Sequence, residues 1–336
     1  MVPTVPTVTL VVAMRNEAAH IANCLDSIAA QDHPADRLEV LVYDGESDDD
    51  SVAIALGRAD GRPGWAVLPN PRRIQAAAWN AGIAIATGDI VGIVSGHAVL
   101  APDYVRRAVE AIEATGADMV GGPVNAVGGG PIGEAVSIAI STPFGVGGAR
   151  HHYATERTEV DTVFMGLARR ETYQRFPFDE SMVRNQDDEL SYRLLDAGGR
   201  IVCDPAIVSA YTSRATLEGL WTQYFDYGRW KVRVIQAHPR QVRIRHLVPI
   251  GLVGAFGVAG LAAIVGDAGR RLLALLLIAY LGAIVAATIR YGRGRSAGIM
   301  AALAAAYPTM HLSYGFGMIR GLWQFRDGWR RRTPPR

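Results

Sequence analysis

The sequence predicts an α/β domain with a parallel sheet, followed by C-terminal transmembrane helices. In about the first 120 residues, short apolar runs alternate with helical patterns, which is typical of βαβ units. Beyond residue 246, two uncharged apolar runs, Leu247–Gly266 and Leu272–Ile289, are long enough to cross a bilayer. The chain therefore combines a full-sized α/β domain with a membrane region.

The first elements follow from the alternation, in order along the chain. We expect four strands, at Thr9–Met14, Leu38–Asp44, Trp65–Leu68 and Asp89–Val94. We expect four helices, at Glu17–Ala30, Asp48–Gly57, Arg73–Ala86 and Pro102–Ala114. Ligands of such sheets bind at the carboxyl ends of the strands, so the residues that follow each strand are the first candidates for a site.

The chain divides into four regions. We assign residues 1–215 to the α/β domain, 216–246 to an amphipathic interfacial segment, 247–319 to a membrane region of two or three helices, and 320–336 to a basic tail of cytoplasmic type. Within Leu217–Gln236, aromatic and basic residues recur at helical spacing, which fits either a helix at a membrane surface or an ordinary packing face.

The number of crossings depends on a weaker third stretch, Ser296–Ile319, which contains Pro308 and His311. If all three stretches crossed, the arginine-rich tail would end outside, against the positive-inside tendency. We therefore favour two crossings, in a multi-pass protein of the cell membrane. Arginines precede the first run, which places the α/β domain on the cytoplasmic side.

Composition argues against a disulfide-rich protein and against a cysteine metal site. The chain has 336 residues, a net charge of +2 and 49% hydrophobic residues. It has two cysteines, Cys24 and Cys203, too few for a disulfide framework or a cysteine metal site. The start of the chain lacks the basic region and cleavage site of a signal sequence, so we read it as a buried first strand.

Polar side chains stand at the predicted strand ends. Asp44 ends the second strand, where its carboxylate suits a ribose hydroxyl, a base edge or a metal. Asp48 to Asp50 fit N-capping of the next helix. His97 follows the fourth strand, as a metal ligand, a phosphate contact or a structural histidine. Arg72 and Arg73 fit either a diphosphate contact or a helix start.

Three consecutive acids, Asp187, Asp188 and Glu189, open another amphipathic helical segment. Their mutual repulsion is costly, and helix geometry points them in different directions. One of them can then serve as a base. The alternative is a solvated acidic first turn that is stabilised by the helix dipole.

These segments together resemble glycosyltransferase family 2, and the resemblance covers about residues 7–235. Its parts occur in order: Val11 to Glu17, Asp44 to Asp49, Asn80 to Asp89, Phe178 to Glu180, and Asn185 to Arg193. Within the family, the segments Asp161 to Gly166 and Tyr227 to Trp230 are similar in sequence to those of succinoglycan-type membrane glucosyltransferases. The resemblance implies a GT-A fold, that is, a Rossmann-like nucleotide-sugar-binding domain.

The resemblance also implies roles for individual residues. Asp187 would be the catalytic base. Acceptor contacts would come from Met165, Gly166, Asp188 and Glu189. Donor contacts would come from Arg15, Glu17, Asp44, Arg73, Asn80, Ser95, His97, Arg229 and Trp230. Asp226 stands where processive relatives carry a glutamine, so processive synthesis is not expected.

The metal motif departs from the family pattern. The family carries an aspartate at its first position, where this chain has Ser95, so His97 alone is expected as a protein ligand to the divalent cation, Mg or Mn. A neutral hydroxyl binds a hard cation less well than a carboxylate does. The chain would then hold the cation mainly through the diphosphate, depend on it weakly, or have lost activity.

The implied function is inverting transfer of a hexose, with UDP-glucose as the expected donor, to a lipid-linked saccharide in exopolysaccharide or cell-envelope glycan synthesis. One alternative is a hexosyltransferase acting on a polyprenyl phosphate or a glycolipid. Another is a catalytically silent nucleotide-sugar-binding membrane subunit. The expected partners are the nucleotide sugar, the lipid acceptor and membrane lipid, without nucleic acid. Small residues in the apolar runs allow close helix packing between subunits.

Overall fold

The computed structural model describes residues 5–329. The chain forms two compact units, Met1–Asn125 with Arg150–Thr212, and Ala126–Ala149 with Ser213–Arg336. The predicted stretch 1–215 is therefore interrupted, because residues 126–149 belong to the second unit. The predicted basic tail lies outside the described residues from residue 330 onward.

The strands, in chain order, are β1 Val8–Met14, β2 Leu38–Asp44, β3 Trp65–Pro69, β4 Ile90–Ser95, β5 Ala98–Leu100, β6 Met119–Gly122, β7 Ala126–Val127, β8 Thr158–Glu159, β9 Phe164–Arg169, β10 Ile201–Cys203 and β11 Ser209–Thr212. The helices are α1 Ile21–Ala29, α2 Ser51–Ala59, α3 Gln75–Ile85, α4 Tyr104–Thr115, α5 Gly130–Ile140, α6 Pro143–Val146, α7 Arg170–Arg175, α8 Gln186–Asp196, α9 Leu217–Ala237, α10 Ile244–Val265, α11 Asp267–Gly292 and α12 Ala297–Gln324.

The first unit is built on an eight-stranded sheet with the order β3-β2-β1-β4-β9-β6-β10-β8. Strands β1 to β4 are mutually parallel, which confirms the predicted βαβ arrangement. Strand β9 lies antiparallel between β4 and β6. The four predicted strands agree with β1 to β4 to within one residue at each end.

The core covers both faces of this sheet. Along β1, Leu10 and Val12 belong to one buried cluster, whereas Val11 and Ala13 belong to another. This alternation follows from the two-residue period of a strand. Helix α1 contributes four buried residues at helical spacing to the first cluster: Ile21, Cys24, Leu25 and Ile28.

Helix α1 begins at Ile21, four residues later than the sequence predicts. The backbone N–H groups of Asn16, Glu17 and Ala18 donate to the side chains of Ser47, Ser51 and Asp49, at 2.9, 2.7 and 3.1 Å. These hydrogen bonds tie residues 16–18 to the loop after β2 and to Ser51, the first residue of α2.

The second unit is helical. Helices α9 and α12 pack with their backbones in direct contact. A Cβ added to Gly317 would lie 2.0 Å from the carbonyl oxygen of Phe225, and one added to Gly228 would lie 2.0 Å from that of Tyr314. Only glycine fits at these two positions. Helix α5 also packs against α12, which brings residues 126–149 into this unit.

Within residues 5–329, two helices are long and apolar enough to cross a membrane, Ile244–Val265 and Asp267–Gly292. They match the two predicted apolar runs, and their length and composition suggest membrane association. The weaker stretch Ser296–Ile319 forms most of α12, which continues through Pro308 and is not among the two.

Candidate active site

The ends of the parallel strands meet at one edge of the sheet in the first unit. Met14 at the end of β1 is in register with Asp44 at the end of β2, and Ala13 is in register with Ser95 at the end of β4. The register therefore brings the loops after β1, β2 and β4 to a common edge, where the sequence predicts the donor site.

Asp44 is largely buried and is engaged by its own turn. Its carboxylate accepts hydrogen bonds from the backbone N–H of Ser47 at 3.0 Å and from the Ser47 hydroxyl at 2.5 Å. The side-chain oxygen of Asn16 accepts from the N–H of Asp48 at 3.0 Å, which ties the loops after β1 and β2 together. Asp44 is thus fixed at the strand end, and its contact with a nucleotide stays a prediction.

Of the three arginines predicted for the donor site, Arg15 and Arg73 belong to the first unit and have different surroundings. Arg15 is exposed, and its side chain has no hydrogen-bond or ion-pair partner among the described residues, so its guanidinium is available to a ligand. Arg73 forms an ion pair with Glu46, and its Nε lies 2.6 Å from the carboxylate. A diphosphate contact from Arg73 would require this exposed pair to open.

The Asn80 side chain makes hydrogen bonds within the protein. Its amide nitrogen donates to the carbonyl of Phe178 and to the carboxylate of Glu180, both at 2.9 Å, and its oxygen accepts from the N–H of Phe178 at 2.8 Å. Glu180 also pairs with Arg72. The Asn80 side chain therefore fixes residues 178–180 against α3, and its predicted donor contact stays a prediction.

A chain of polar side chains runs from the end of β1 to the start of α8. Nδ1 of His97 lies 2.9 Å from the Glu17 carboxylate, and Nε2 lies 3.5 Å from the Ser95 hydroxyl. The amide nitrogen of Gln75 lies 3.5 Å from that hydroxyl, and Gln186 donates to the Gln75 amide oxygen at 3.2 Å. This polar chain joins the segments after β1 and β4 to the first residues of α3 and α8, all in the first unit.

The same contacts test the fit to a divalent cation. A carboxylate that accepts from one ring nitrogen of a histidine leaves the other nitrogen as a ligand, and Glu17 stands in this relation to His97. Within residues 5–329, no group of three or more His, Cys, Asp or Glu side chains could hold a metal ion. The residues present fit a cation that is held mainly by substrate phosphates, as Mg²⁺ often is.

Helix α8 presents its three acids in different ways. Glu189 is buried and forms a bidentate ion pair with Arg193, with two N–O distances of 2.8 Å. Asp187 and Asp188 are partly exposed, and the Asp187 carboxylate accepts from the N–H of Asp188 at 2.9 Å. The pair with Arg193 accounts for Glu189 structurally, and the acceptor roles of Asp188 and Glu189 stay predictions.

The backbone carbonyl groups of Met165 and Gly166 accept hydrogen bonds from two buried tyrosines. The hydroxyl of Tyr104 donates to the carbonyl of Met165 at 3.0 Å, and that of Tyr173 donates to the carbonyl of Gly166 at 2.6 Å. Burial raises the pKa of the Tyr173 hydroxyl, and the negative charge of Asp187 contributes to the increase in that pKa. Tyr173 therefore stays a neutral donor near the predicted base.

Arg229 and Trp230 belong to the second unit, on α9. Arg229 forms an ion pair with Asp226 at 3.0 Å, and Trp230 packs on Phe325 with ring centroids 5.3 Å apart. Arg229 Nε and Trp230 Nε1 are buried polar atoms without a hydrogen-bond partner in the described part of the chain. Asp226, which the sequence places where processive relatives carry glutamine, thus neutralises Arg229.

Sequence reasoning missed Gln75, Gln186, Tyr104 and Tyr173. Gln186 lies inside the predicted acidic segment, and Gln75 follows the predicted Arg72-Arg73 pair, so position in the sequence gave a partial signal for both. Nothing in the sequence indicates that the two tyrosines support Met165 and Gly166.

Comparison with known proteins identifies the family of this chain. The family model for Glycosyl transferase family 2 matches residues 9–176. The succinoglycan biosynthesis protein ExoA of Rhizobium meliloti is 32% identical over 94% of this chain and 95% of its own length. A dolichyl N-acetyl-alpha-D-glucosaminyl phosphate 3-beta-D-2,3-diacetamido-2,3-dideoxy-beta-D-glucuronosyltransferase of Methanococcus voltae is 27% identical over 94% of this chain and 98% of its own length.

A solved structure gives the same fold. The mannosyltransferase PcManGT of Pyrobaculum calidifontis, in complex with GDP-Man and Mn²⁺, aligns with a TM-score of 0.59 at 20% identity, over 96% of this chain and 89% of its own. This confirms the GT-A fold, and the match to ExoA supports the predicted resemblance to the succinoglycan type. The chain belongs to glycosyltransferase family 2 and is a glycosyltransferase of polysaccharide or glycan biosynthesis.

Proposed function

We propose that this protein is a membrane-bound inverting hexosyltransferase that transfers a hexose from a nucleotide sugar, UDP-glucose, to a lipid-linked saccharide. The product would enter exopolysaccharide or cell-envelope glycan synthesis. The observation that carries the proposal is the polar chain from Glu17 through Ser95 and Gln75 to Gln186, because it attaches the residue next to Asp187 to the strand-end edge. A base beside a nucleotide-sugar site is what a single displacement requires.

In this mechanism, Asp187 accepts the proton of the acceptor hydroxyl as the oxygen attacks the anomeric carbon. The nucleoside diphosphate leaves from the opposite face, so the configuration inverts without a covalent intermediate. Glu189 is held by Arg193, which leaves Asp187 as the first acid of α8 to meet an acceptor. Arg15 has no competing partner among the described residues and would contact the donor.

A divalent cation, Mg or Mn, would be held by the diphosphate and by Nε2 of His97, where it would supply positive charge to the leaving group. Glu17 would orient the imidazole through Nδ1. Ser95 is a neutral neighbour in this arrangement. We therefore expect a weaker dependence of activity on the cation than an aspartate at position 95 would give.

We place the glycosyltransferase domain on the cytoplasmic side of the cell membrane. The supporting observation is the basic segment Arg290 to Arg295, which spans the end of the second long apolar helix, α11, and the residues after it, while Arg240, Arg243 and Arg245 precede most of the first, α10. Two crossings by α10 and α11 would keep both groups of arginines inside. Helix α12 then stays on or in the cytoplasmic interface.

The test is Asp187→Asn in the full-length protein reconstituted in lipid, with UDP release and a lipid-linked product measured. Loss of the base should reduce kcat by about 10²- to 10⁴-fold while UDP binding is kept. Asp60→Asn removes one exposed carboxylate charge elsewhere in the first unit and serves as the matched control, with a much smaller effect. Equal activity of Asp187→Asn and wild type would refute the assignment of the base.

The neutral Ser95 favours a second candidate, a silent subunit that binds the nucleotide sugar without turnover. In that case the wild-type protein would bind UDP yet release none from any nucleotide sugar offered with a lipid acceptor. Turnover by the wild type, lost in Asp187→Asn, excludes the silent reading. A hexosyltransferase acting on polyprenyl phosphate is distinguished by the lipid that becomes labelled.

A further inference from the structure

An open apolar groove of about 670 Å³ runs between α9 and α12 in the second unit. It is lined by Trp221, Phe225, Phe316, Ile319, Arg320 and Trp323, and we call it the aromatic groove. Its volume lies within the range of protein sites that hold small ligands. None of these six residues has a role in the glycosyl transfer described above.

The groove exposes bulky apolar side chains. The exposed fraction is 44% for both Phe316 and Ile319, and 59% for Trp323. A contiguous patch of this kind, formed by two packed helices, indicates that a ligand or a membrane covers it. In the same unit, α10 and α11 have the length and apolarity of membrane helices, so lipid is at hand.

Positive charge is concentrated at one end of the groove. The guanidinium carbon of Arg320 lies 4.4 Å from the centroid of the Trp323 ring, and that of Arg326 lies 5.3 Å from the same centroid. Neither arginine has an ion-pair or hydrogen-bond partner in the described part of the chain. Two unneutralised cations that share one aromatic ring favour an anion, and two guanidinium groups suit the oxygens of a phosphate.

These features together select the occupant. An apolar groove that ends at two arginines without an ion-pair partner among residues 5–329 is complementary to a molecule with a hydrocarbon chain attached to a phosphate. Tryptophan and arginine are also the residues that proteins place at the headgroup depth of a bilayer.

We propose that the aromatic groove binds one anionic phospholipid of the bilayer, with an acyl chain along the groove and the headgroup phosphate between Arg320 and Arg326. The inference rests on the membrane location in the proposed function. It places the C-terminal end of α12 at the level of the lipid headgroups. The protein would therefore hold its second unit at the membrane through a specific lipid as well as through α10 and α11.

The test uses full-length protein in nanodiscs of phosphatidylcholine that contain phosphatidylglycerol, with bromine on the acyl chains of one lipid at a time. Bromine quenches tryptophan fluorescence on contact, so the part of the quenching that is lost in the variant Trp221→Phe/Trp323→Phe reports lipid at the aromatic groove. We expect brominated phosphatidylglycerol to quench more than brominated phosphatidylcholine at equal content. The double variant R320Q/R326Q should lower the preference for the anionic lipid by about twenty-five-fold, since each arginine near an anionic surface contributes about five-fold.

The matched control is R169Q/R175Q in the first unit, which removes the same charge. Both arginines are exposed, and Arg175 also lies over an aromatic ring, at 5.1 Å from the centroid of Phe176. The control should keep the wild-type preference. A second variant, Ile319→Asn, keeps both arginines and should reduce quenching by the acyl chain if the groove is the site.

Several results would overturn the proposal. These are equal quenching by the two lipids in the wild type, no quenching by either lipid, and a preference that survives in R320Q/R326Q. Loss of the preference on adding inorganic phosphate would assign the arginines to a free anion, and its loss on adding a small amount of polyprenyl phosphate would assign the groove to the acceptor lipid. Glycosyl transfer is not measured here, so a transferase-inactive protein still gives a clear answer.

Discussion

The amide nitrogen of Gln186 donates a hydrogen bond to the amide oxygen of Gln75 across 3.2 Å. Gln186 is the first residue of α8 and precedes Asp187, while Gln75 is the first residue of α3 and lies 3.5 Å from the Ser95 hydroxyl. The two residues are 111 positions apart in the sequence. Their contact fixes the segment that bears the proposed base against the strand-end edge.

Breaking this contact should slow the chemical step more than it weakens donor binding. We expect Gln75→Ala and Gln186→Ala each to lower kcat by up to about ten-fold, as befits one hydrogen bond, with little change in KM for the donor. The double variant should be no worse than the poorer single variant, since both remove one interaction. Gln174→Ala, an exposed site in the same unit, is the control; additive effects of the two variants would contradict the coupling.

Restoring a carboxylate at position 95 should strengthen cation binding. Ser95→Asp places a hard oxygen ligand beside Nε2 of His97, which lies 3.5 Å from the present hydroxyl. We expect the affinity for Mn²⁺ in the presence of UDP to rise by about ten-fold, or about 1.4 kcal/mol, as measured by electron paramagnetic resonance. Ala114→Asp adds the same charge elsewhere in the first unit, and an equal effect from that variant would rule out a local cause.

The contact between α9 and α12 predicts that alanine substitutions at two glycines differ greatly in their effect on stability. Gly317→Ala forces a methyl group toward the Phe225 carbonyl, so the helices must separate, at a cost of about 1 to 3 kcal/mol. Gly257→Ala in α10 has no atom of another element within 4 Å and should be neutral or stabilising. Thermal unfolding in detergent compares them; equal midpoints would mean that the helices are not in close contact.

Asp89 predicts a pH-dependent contribution to the stability of the first unit. The backbone N–H and hydroxyl of Thr7 donate to its carboxylate at 3.0 and 2.8 Å, and these bonds hold the pKa of Asp89 below its ordinary value. A lowered pKa means that the stabilisation is complete above the ordinary value of about 3.9 and is lost as the pH falls through the folded-state pKa.

Asp89→Asn should therefore lower the free energy of unfolding at neutral pH, by about 1 kcal/mol or less because the carboxyl is exposed. The difference from wild type should disappear in acid, where the wild-type carboxyl is protonated. Denaturant titrations at both pH values measure this. Asp60→Asn is the control, since its exposed side chain has no hydrogen-bond partner among the described residues; a difference that persists in acid would assign the effect to something other than charge.

Much of the fold of the first unit could be predicted, because strand period and strand ends are local signals. Leu38–Asp44 was predicted without error, and the order of strand and helix through β4 follows the apolar pattern, whereas the short strand β5 was not predicted. The start of α1 was missed by four residues, and the segment before it makes hydrogen bonds to Ser47, Asp49 and Ser51, which are more than 30 positions away in the sequence. The departure of residues 126–149 from the first unit depends on packing against α12, which no local pattern indicates.

In the candidate site, too, local features could be predicted from the sequence, whereas contacts between distant residues could not. The residue types at the strand ends identify Asp44, Ser95 and His97 as candidates, since position after a strand is visible in the sequence. Partners are not visible there: Glu46 pairs with Arg73, and Glu180 binds Asn80. Each of these contacts joins residues that are distant in the sequence, so only the folded chain reveals that a predicted ligand already has a structural partner.

Backbone geometry marks the site independently of the side-chain types. The described residues include five non-glycine residues in the left-handed region: Asn16, Glu46, Arg73, Met165 and Asn185. All five lie in or beside the segments predicted for donor, acceptor or base. Such conformations cost free energy and persist where the surrounding structure enforces them, often at functional sites.

Because residues 126–149 belong to the second unit, they determine which fragments of this protein can be expressed separately. Helix α5 buries Ala135, Val136, Ala139 and Ile140 in the second unit. A soluble fragment that stops near residue 215 would keep α5 but lose α12, and would present those four side chains to water. We expect a simple C-terminal truncation to aggregate. A fragment that contains the first unit alone should instead join Asn125 to Arg150 with a short linker.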